Sequence, residues 1–232
     1  MRAAEANDGP NPQRARYVAI IADGNGRWAQ SRGAPVNDGH QAGADTLKAR
    51  LRDAVELGVE ELTVYSFSTE NWARPIEEVR GLISMLAQRI ARETPELHRE
   101  GVRIRFVGRR EGVPRELVEQ MSWAESLTAD NQRLALFIAF NYGGRAEILD
   151  AAMRFRGTTE EEFRRCLYAP EMHDPDLVIR TGSEQRLSNY LLWQAAYSEL
   201  VFRDELWPDF TRQSLVESLA EFSERRRRFG GR

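Results

Sequence analysis

The sequence predicts a single α/β domain: a mostly parallel central sheet of about six strands, flanked by helices. Three observations predict it. Short apolar runs alternate along the chain with stretches of helical apolar spacing. One run, residues 134–140, is almost continuously apolar, as a strand covered on both faces must be. Finally, 232 residues of which 41% are hydrophobic can bury one large core.

Residues 1–16 are polar and carry Pro10 and Pro12, so they read as a loose tail before a domain spanning 17–232. Strand 17–21 stops at the turn signal Asp23-Gly24-Asn25-Gly26. Leu47, Leu51 and Val55 then fall at helical spacing in 40–57, with Gly58 as the closing residue. A second strand, 62–67, ends in Ser68, Thr69 and Asn71. Pro75 opens a long helix to about 97, with Val79, Leu82, Ile83, Leu86 and Ile90 on one stripe. Residues 102–107 alternate apolar residues with arginine, as a strand wetted on one face would. Pro114 starts another helix, 134–140 is the central strand, and a helix follows from Arg145. Short strands at 177–179 and 199–202 precede a terminal helix at 210–228.

Composition excludes several classes. The net charge of −3 argues against an obligate nucleic-acid binder. A single cysteine, Cys166, excludes an internal disulfide framework or a cysteine-rich metal site. No apolar run approaches the roughly 20 residues of a membrane span, and the start lacks the apolar stretch of a secretory signal, so the expectation is a soluble cytoplasmic protein. Lys48 is the only lysine among 33 basic residues. Arginine-biased coding explains that, and so does a need for bidentate contacts to phosphate.

In sheets of this type, ligands gather beyond the carboxyl ends of the strands. Polar clusters follow four of the predicted strands. Asp23-Gly24-Asn25-Gly26-Arg27-Trp28 combines a carboxylate, two glycines and an arginine, which suits a phosphate cradle if a helix starts near Arg27 and equally suits a tight turn. Ser68-Thr69-Glu70-Asn71-Trp72 with Arg74 is a second polar loop, or a capped helix start with Trp72 as packing anchor. Arg180-Thr181-Gly182 with Arg186-Leu187-Ser188 places two arginines and a hydroxyl together. They suit a diphosphate, or surface ion pairs. On the residues alone, His40 and Glu199 are unremarkable.

Taken together these blocks resemble the cis-prenyltransferases of the undecaprenyl diphosphate synthase type. The resemblance is carried by 22–29 with Gly39-His40, by 65–75, by Asn141-Tyr142-Gly143-Gly144-Arg145, by 174–182, by 186–194, and by 197–200 with 206–210, in order over 17 to about 230. It implies repeated condensation of isopentenyl diphosphate with an allylic diphosphate such as farnesyl or geranyl diphosphate, Mg²⁺, a homodimer, and product release at a membrane surface. It implies that Asp23 helps place Mg²⁺ and that Gly24, Asn25, Gly26, Arg27, Trp28 and His40 cradle the allylic diphosphate. By the same resemblance Arg180, Arg186, Leu187 and Ser188 hold isopentenyl diphosphate, Glu199 is a second metal contact offered from the partner-facing side of that site, and Asn71 removes the proton. Ser68, Thr69, Glu70, Trp72 and Arg74 would line the reacting region, and Arg228-Phe229-Gly230 would reach a neighbouring subunit.

The chemistry is consistent with these residue types: arginines and Mg²⁺ stabilise the charge that gathers on departing diphosphate. A growing hydrocarbon needs a dry channel, which the stripe of helix 76–97 against strands 62–67 and 134–140 can wall, as it can wall an ordinary core. No Asp-Asp-x-x-Asp cluster of the unrelated trans-prenyltransferases occurs. Departures from the family pattern are Val36 where an arginine is usual, Ser183 in place of a glycine, a trimmed stretch at 153–160 and a bulky Phe140. Ser66 is small at a channel-facing position. A short-chain synthase and a non-catalytic partner subunit are the alternatives within the resemblance. A phosphate-binding hydrolase is the alternative outside it, and lacks an evident nucleophile.

Overall fold

A computed structural model describes residues 14–225. Strand β1 (Tyr17–Ile21) is buried from Val18 onward and pairs in parallel with two neighbours, β2 (Glu61–Ser68) and β5 (Leu177–Arg180). With β3 (Val102–Val107), β4 (Leu134–Tyr142) and β6 (Glu199–Phe202) they form one parallel sheet of order β3-β4-β2-β1-β5-β6. Seven α-helices are present among the described residues: α1 (Asn25–Ser31), α2 (Val36–Glu56), α3 (Ile76–Arg99), α4 (Arg115–Leu127), α5 (Gly144–Arg154), α6 (Glu160–Arg164) and α7 (Arg212–Glu224).

Both faces of the sheet are covered, which explains the unbroken apolar runs. Alternate side chains divide between two cores. Val18, Ile20, Leu136, Phe140 and Ile179 point into one with Leu51, Leu82 and Ile90 of α2 and α3. Ala19, Ile21, Phe137, Ala139 and Val178 point into the other with Met172, Tyr190 and Leu191. The chain leaves β1 toward β2 but leaves β5 toward β6, on the other side. The crevice beyond the carboxyl ends of β1 and β5 is therefore the point at which strand order reverses.

All six predicted strands are present, and the departures are local. The turn at 24–31 contains a helix, α1, that starts at Asn25. Helix α2 begins at Val36, before His40, and α3 runs through Pro95 to Arg99. Helix α6 was not foreseen; Thr159 caps it by accepting from the Glu162 N–H. The terminal helix starts at Arg212, because Thr211 accepts from the Ser214 N–H and caps it. The expected tail is shorter than 1–16: Ala15 is buried, the Arg16 N–H donates to Asp176 at 2.9 Å, and Arg16 pairs with Glu60. Residues 1–13, and with Arg228-Phe229-Gly230 the last seven, lie outside the described residues.

Helices α1 and α2 meet backbone to backbone, and two glycines one turn apart allow it. A Cβ on Gly39 would lie 2.1 Å from the Asn25 carbonyl oxygen, and one on Gly43 2.2 Å from Asn25 Oδ1. Gly39→Ala should therefore destabilise the fold. Overpacking costs about 1–3 kcal/mol, and exceeds the roughly 0.5–1 kcal/mol that alanine returns in a helix interior. A urea midpoint equal to or above that of the parent would contradict this contact.

Candidate active site

Asp23 follows β1 and is held at its backbone by Thr181, whose hydroxyl donates to the Asp23 carbonyl at 2.7 Å and accepts its N–H at 3.0 Å. Its carboxylate accepts from two arginines: Arg180 Nη2 at 2.8 Å and Arg27 Nη2 at 3.2 Å. Arg180, the last residue of β5, is 4% exposed. A buried guanidinium requires partners; besides Asp23, its Nη1 donates to Ser188 Oγ at 2.8 Å and to the Arg186 carbonyl. Its Nε–H has no partner. The crevice thus contains a carboxylate and a guanidinium that engage one another and a hydroxyl.

Beyond β2, residues Thr69–Ala73 form a 3₁₀ turn, and the Ser68 N–H donates to Asn71 Oδ1 at 2.9 Å. Glu70 accepts from Asn189 Nδ2 at 2.7 Å and from the Thr69 hydroxyl at 3.1 Å. Burial pushes the Glu70 carboxyl up, but the hydrogen bonds from Asn189, its own backbone, Ser68 and Thr69 outweigh burial and leave it below the ordinary value. Trp72 lies edge-on to Phe67 and donates to Asn141 Oδ1 at 2.8 Å. Across the crevice, Glu78 accepts from Arg74 at 2.9 Å and faces His40 Nε2 at 3.4 Å.

These groups surround a cavity of about 460 Å³ lined by Asp23, Asn25, His40, Ser68, Glu70, Asn71, Arg74, Arg180 and Ser188, together with Tyr65, Ser66 and Asn189. A second, apolar cavity of about 160 Å³ shares Ala22, Asn25, His40, Tyr65, Ser66 and Leu82 with it. This cavity continues between α2, α3 and the sheet past Leu47, Leu86, Ile104, Phe106 and Leu136. The apolar space expected along helix α3 therefore adjoins the polar site and shares six lining residues with it.

Not every predicted residue is brought in. Gly24, at φ 113, makes the turn into α1, and a Cβ there would meet Leu206 at 2.8 Å. Gly26 lies outside the cavity lining, and Trp28 donates to Asp209 at 2.8 Å with Arg32 stacked on its ring. Thr69 and Trp72 support the turn from outside the lining, and Leu187 packs against the second core. The Arg186 guanidinium pairs with Glu184 at the surface, and only its carbonyl reaches Arg180. The resemblance implies for Glu199 a metal contact offered from the partner-facing side, and within one chain Glu199 does not meet Asp23. It opens β6 opposite Leu177, at the amino edge of the sheet, about 10 Å from the level of Arg180. There it pairs with Arg225 at 2.8 Å. No group of three or more His, Cys, Asp and Glu able to hold a metal occurs among the described residues. Tyr65 and Asn189 are the site residues that sequence reasoning did not single out. The Tyr65 hydroxyl is raised, by burial first and then by the charge of Glu70.

Burial holds His40 below its ordinary 6.5, against the raising effect of Glu78; Arg74 adds to the lowering. The unfolded chain then takes up a proton that the folded site refuses, so stability should fall as pH drops through about 6.5. The parent should lose more of its urea midpoint between about pH 7.5 and about pH 5.5 than His40→Gln does. Equal losses would remove His40 as the cause.

The comparisons with known proteins agree with this geometry. Residues 21–230 match the family model described as "Putative undecaprenyl diphosphate synthase". An isoprenyl transferase of Thermotoga maritima is 50% identical over 225 residues, covering 93% of this chain and 97% of that protein. Isoprenyl transferase 2 of Bradyrhizobium diazoefficiens is 47% identical over 241 residues, covering 99% and 96%. Among solved structures, lavandulyl diphosphate synthase from Lavandula x intermedia in complex with dimethylallyl diphosphate superposes with a TM-score of 0.89 at 33% identity, covering 94% of this chain and 99% of that one. The parallel sheet, the paired Asp23 and Arg180 at its strand reversal and the whole-length similarity lead to one assignment: this chain belongs to the undecaprenyl diphosphate synthase family of isoprenyl transferases.

Proposed function

We propose that this protein joins isopentenyl diphosphate to an allylic diphosphate, repeatedly, making cis double bonds and releasing diphosphate at each addition. The observation that carries this reading is that the Asp23–Arg180 cavity adjoins an apolar void and shares lining residues with it. A diphosphate held in the first directs its hydrocarbon into the second. In each addition the allylic C–O bond breaks, a C–C bond forms to the isopentenyl double bond, and one proton leaves.

Arg180 and Ser188 bind the isopentenyl diphosphate, and Arg180 turns from Asp23 toward it. Asn25, Arg27 and His40 face the allylic diphosphate. Asn71, in the turn after β2 and held there by the Ser68 N–H on its Oδ1, stands beside the reacting carbons and orients the proton to be lost. The Asp23 carboxylate suits Mg²⁺ that shares its coordination with phosphate oxygens and water, so Asp23 would hold it, with Glu199 from the partner-facing side as the resemblance implies. When bound, that ion neutralises charge on the departing diphosphate. The buried side of the cavity excludes water from the allylic carbon.

A short-chain outcome is the second reading, favoured by the likeness to lavandulyl diphosphate synthase. Labelled isopentenyl diphosphate, farnesyl diphosphate and Mg²⁺ should give products longer than two additions; products that stop at one or two support the second reading, and none refutes both. Light scattering tests the homodimer that the resemblance implies. Asp23→Ala should lower kcat by about 10²–10³, and near-normal turnover would refute its role. Val36 opens α2 beside Gly26, while Arg32 is committed to Trp28 and Asp209 and does not replace the usual arginine. Val36→Arg should lower KM for the allylic diphosphate about tenfold or more, the value of one charge-assisted hydrogen bond; an unchanged KM would show that another cation already serves.

A further inference from the structure

The loop after β5 has an unusual course. Ser188, Asn189 and Leu191 lie in the left-handed region at φ 48, 65 and 43. Asparagine visits that region routinely, whereas the other two do so at a cost. The loop starts at β5 but docks on the start of α5, beyond β4. In the sheet, β1 and β2 lie between. It therefore crosses the carboxyl ends of the strands that carry Asp23 and Asn71.

Asn189 makes the docking. Its carbonyl accepts from the Gly144 N–H at 2.7 Å and its Oδ1 from the Arg145 N–H at 2.8 Å. Its Nδ2 donates to Glu70 Oε1 at 2.7 Å. The neighbouring Ser188 hydroxyl receives Arg180, and Glu70 adjoins Asn71. Beneath the loop, Tyr65 stacks on Tyr190 with centroids 4.5 Å apart, and its hydroxyl reaches the Ser188 carbonyl at 3.5 Å. A Cβ on Gly143 would lie 2.8 Å from Asn189 Nδ2 and 2.6 Å from Thr69 Oγ1, so a glycine is needed where the loop and the turn meet.

We infer that Asn189 is a positioning residue that fixes the isopentenyl-diphosphate contact at Ser188 and Arg180 relative to the Glu70–Asn71 turn, by joining the two loops through one amide. The inference rests on the function proposed above. It separates the two halves of the site: the allylic side, with Asn25, Arg27 and His40, stands on α1 and α2 and does not depend on Asn189. Glu70 is the acidic group that Asn189 meets, Tyr65 lies under the loop, Arg180 is one residue away through Ser188, and Arg145 contributes its backbone N–H.

The test is steady-state kinetics with labelled isopentenyl diphosphate, farnesyl diphosphate and Mg²⁺. Asn189→Ala should lower kcat over KM for isopentenyl diphosphate about tenfold to a hundredfold, the range of a hydrogen bond to a charged group, with KM for the allylic diphosphate within about twofold. Gly143→Ala should act in the same direction by wedging the loops apart. Asn189→Asp keeps the backbone preference and the acceptor for Arg145 but sets a carboxyl against Glu70. Paired carboxyls share a proton at low pH and repel at high pH. Its activity relative to the parent should therefore rise as pH falls from about 8 to about 6. Asn189→Ala kinetics equal to the parent's, or an Asn189→Asp ratio that is flat with pH while its melting temperature falls, overturns the inference. A parent that makes no product overturns the proposed function, and this inference with it.

Discussion

The site depends on one ion pair at the strand reversal. Arg180 enters the core at the end of β5 with almost no exposure, and a guanidinium in that position is tolerable only if its donors are met. Asp23, Ser188 and the Arg186 carbonyl take three of its five N–H donors, and the buried Nε is without a partner. The pair joins β1 to β5, the two strands from which the chain departs in opposite directions. The free protein is thus electrically balanced with its carboxylate and its main cation in contact. An incoming diphosphate exchanges one anionic partner for another at Arg180 and does not meet a naked buried charge.

The apolar half follows from the same sheet. Strand side chains alternate strictly, so each strand serves two cores at once. The face beneath α2 and α3 ends at its carboxyl edge in Ala22 and Ser66, which line both cavities. One small residue, Ser66, stands among larger neighbours there, while Phe140 stacks on Phe67 beside it. Polar site and apolar void are consequently neighbouring spaces that share a wall.

How much of this was legible varied with the distance over which each feature is determined. Strands β1 to β6 were legible because burial on both faces writes long apolar runs into the sequence. The clusters after β1, β2 and β5 were legible as loops that chemistry would use. Helix α1 was not, since Asp-Gly-Asn-Gly is a turn signal and its helix survives through contact with Gly39 and Gly43 of α2, which no local pattern reports. Arg186 was placed by type, but Glu184, two residues away, holds its guanidinium outward. Glu199 was legible only through the resemblance, because its distance from Asp23 within the chain depends on the edge of the sheet at which β6 begins, a matter of register and not of residue type. Asn189 was overlooked because its partners, Glu70 and the start of α5, are 119 and about 45 positions away.

The walls of the apolar void differ in strength. On the sheet side they are backbone hydrogen bonds and close packing. Between α2 and α3 the contacts include a row of charged pairs: His40 with Glu78 near the mouth, Asp45 with Arg89 further in, then Lys48 and Arg52 with Glu96, and Arg52 with Glu100. Most of these have at least one member well exposed, and such pairs contribute about 1 kcal/mol or less each. Separating the two helices along that row therefore costs little, because the charges exchange one another for water. Parting the sheet would strand backbone groups without partners. Of the void's walls the sheet is thus the rigid floor and the α2–α3 seam, held by side chains alone, the yielding side.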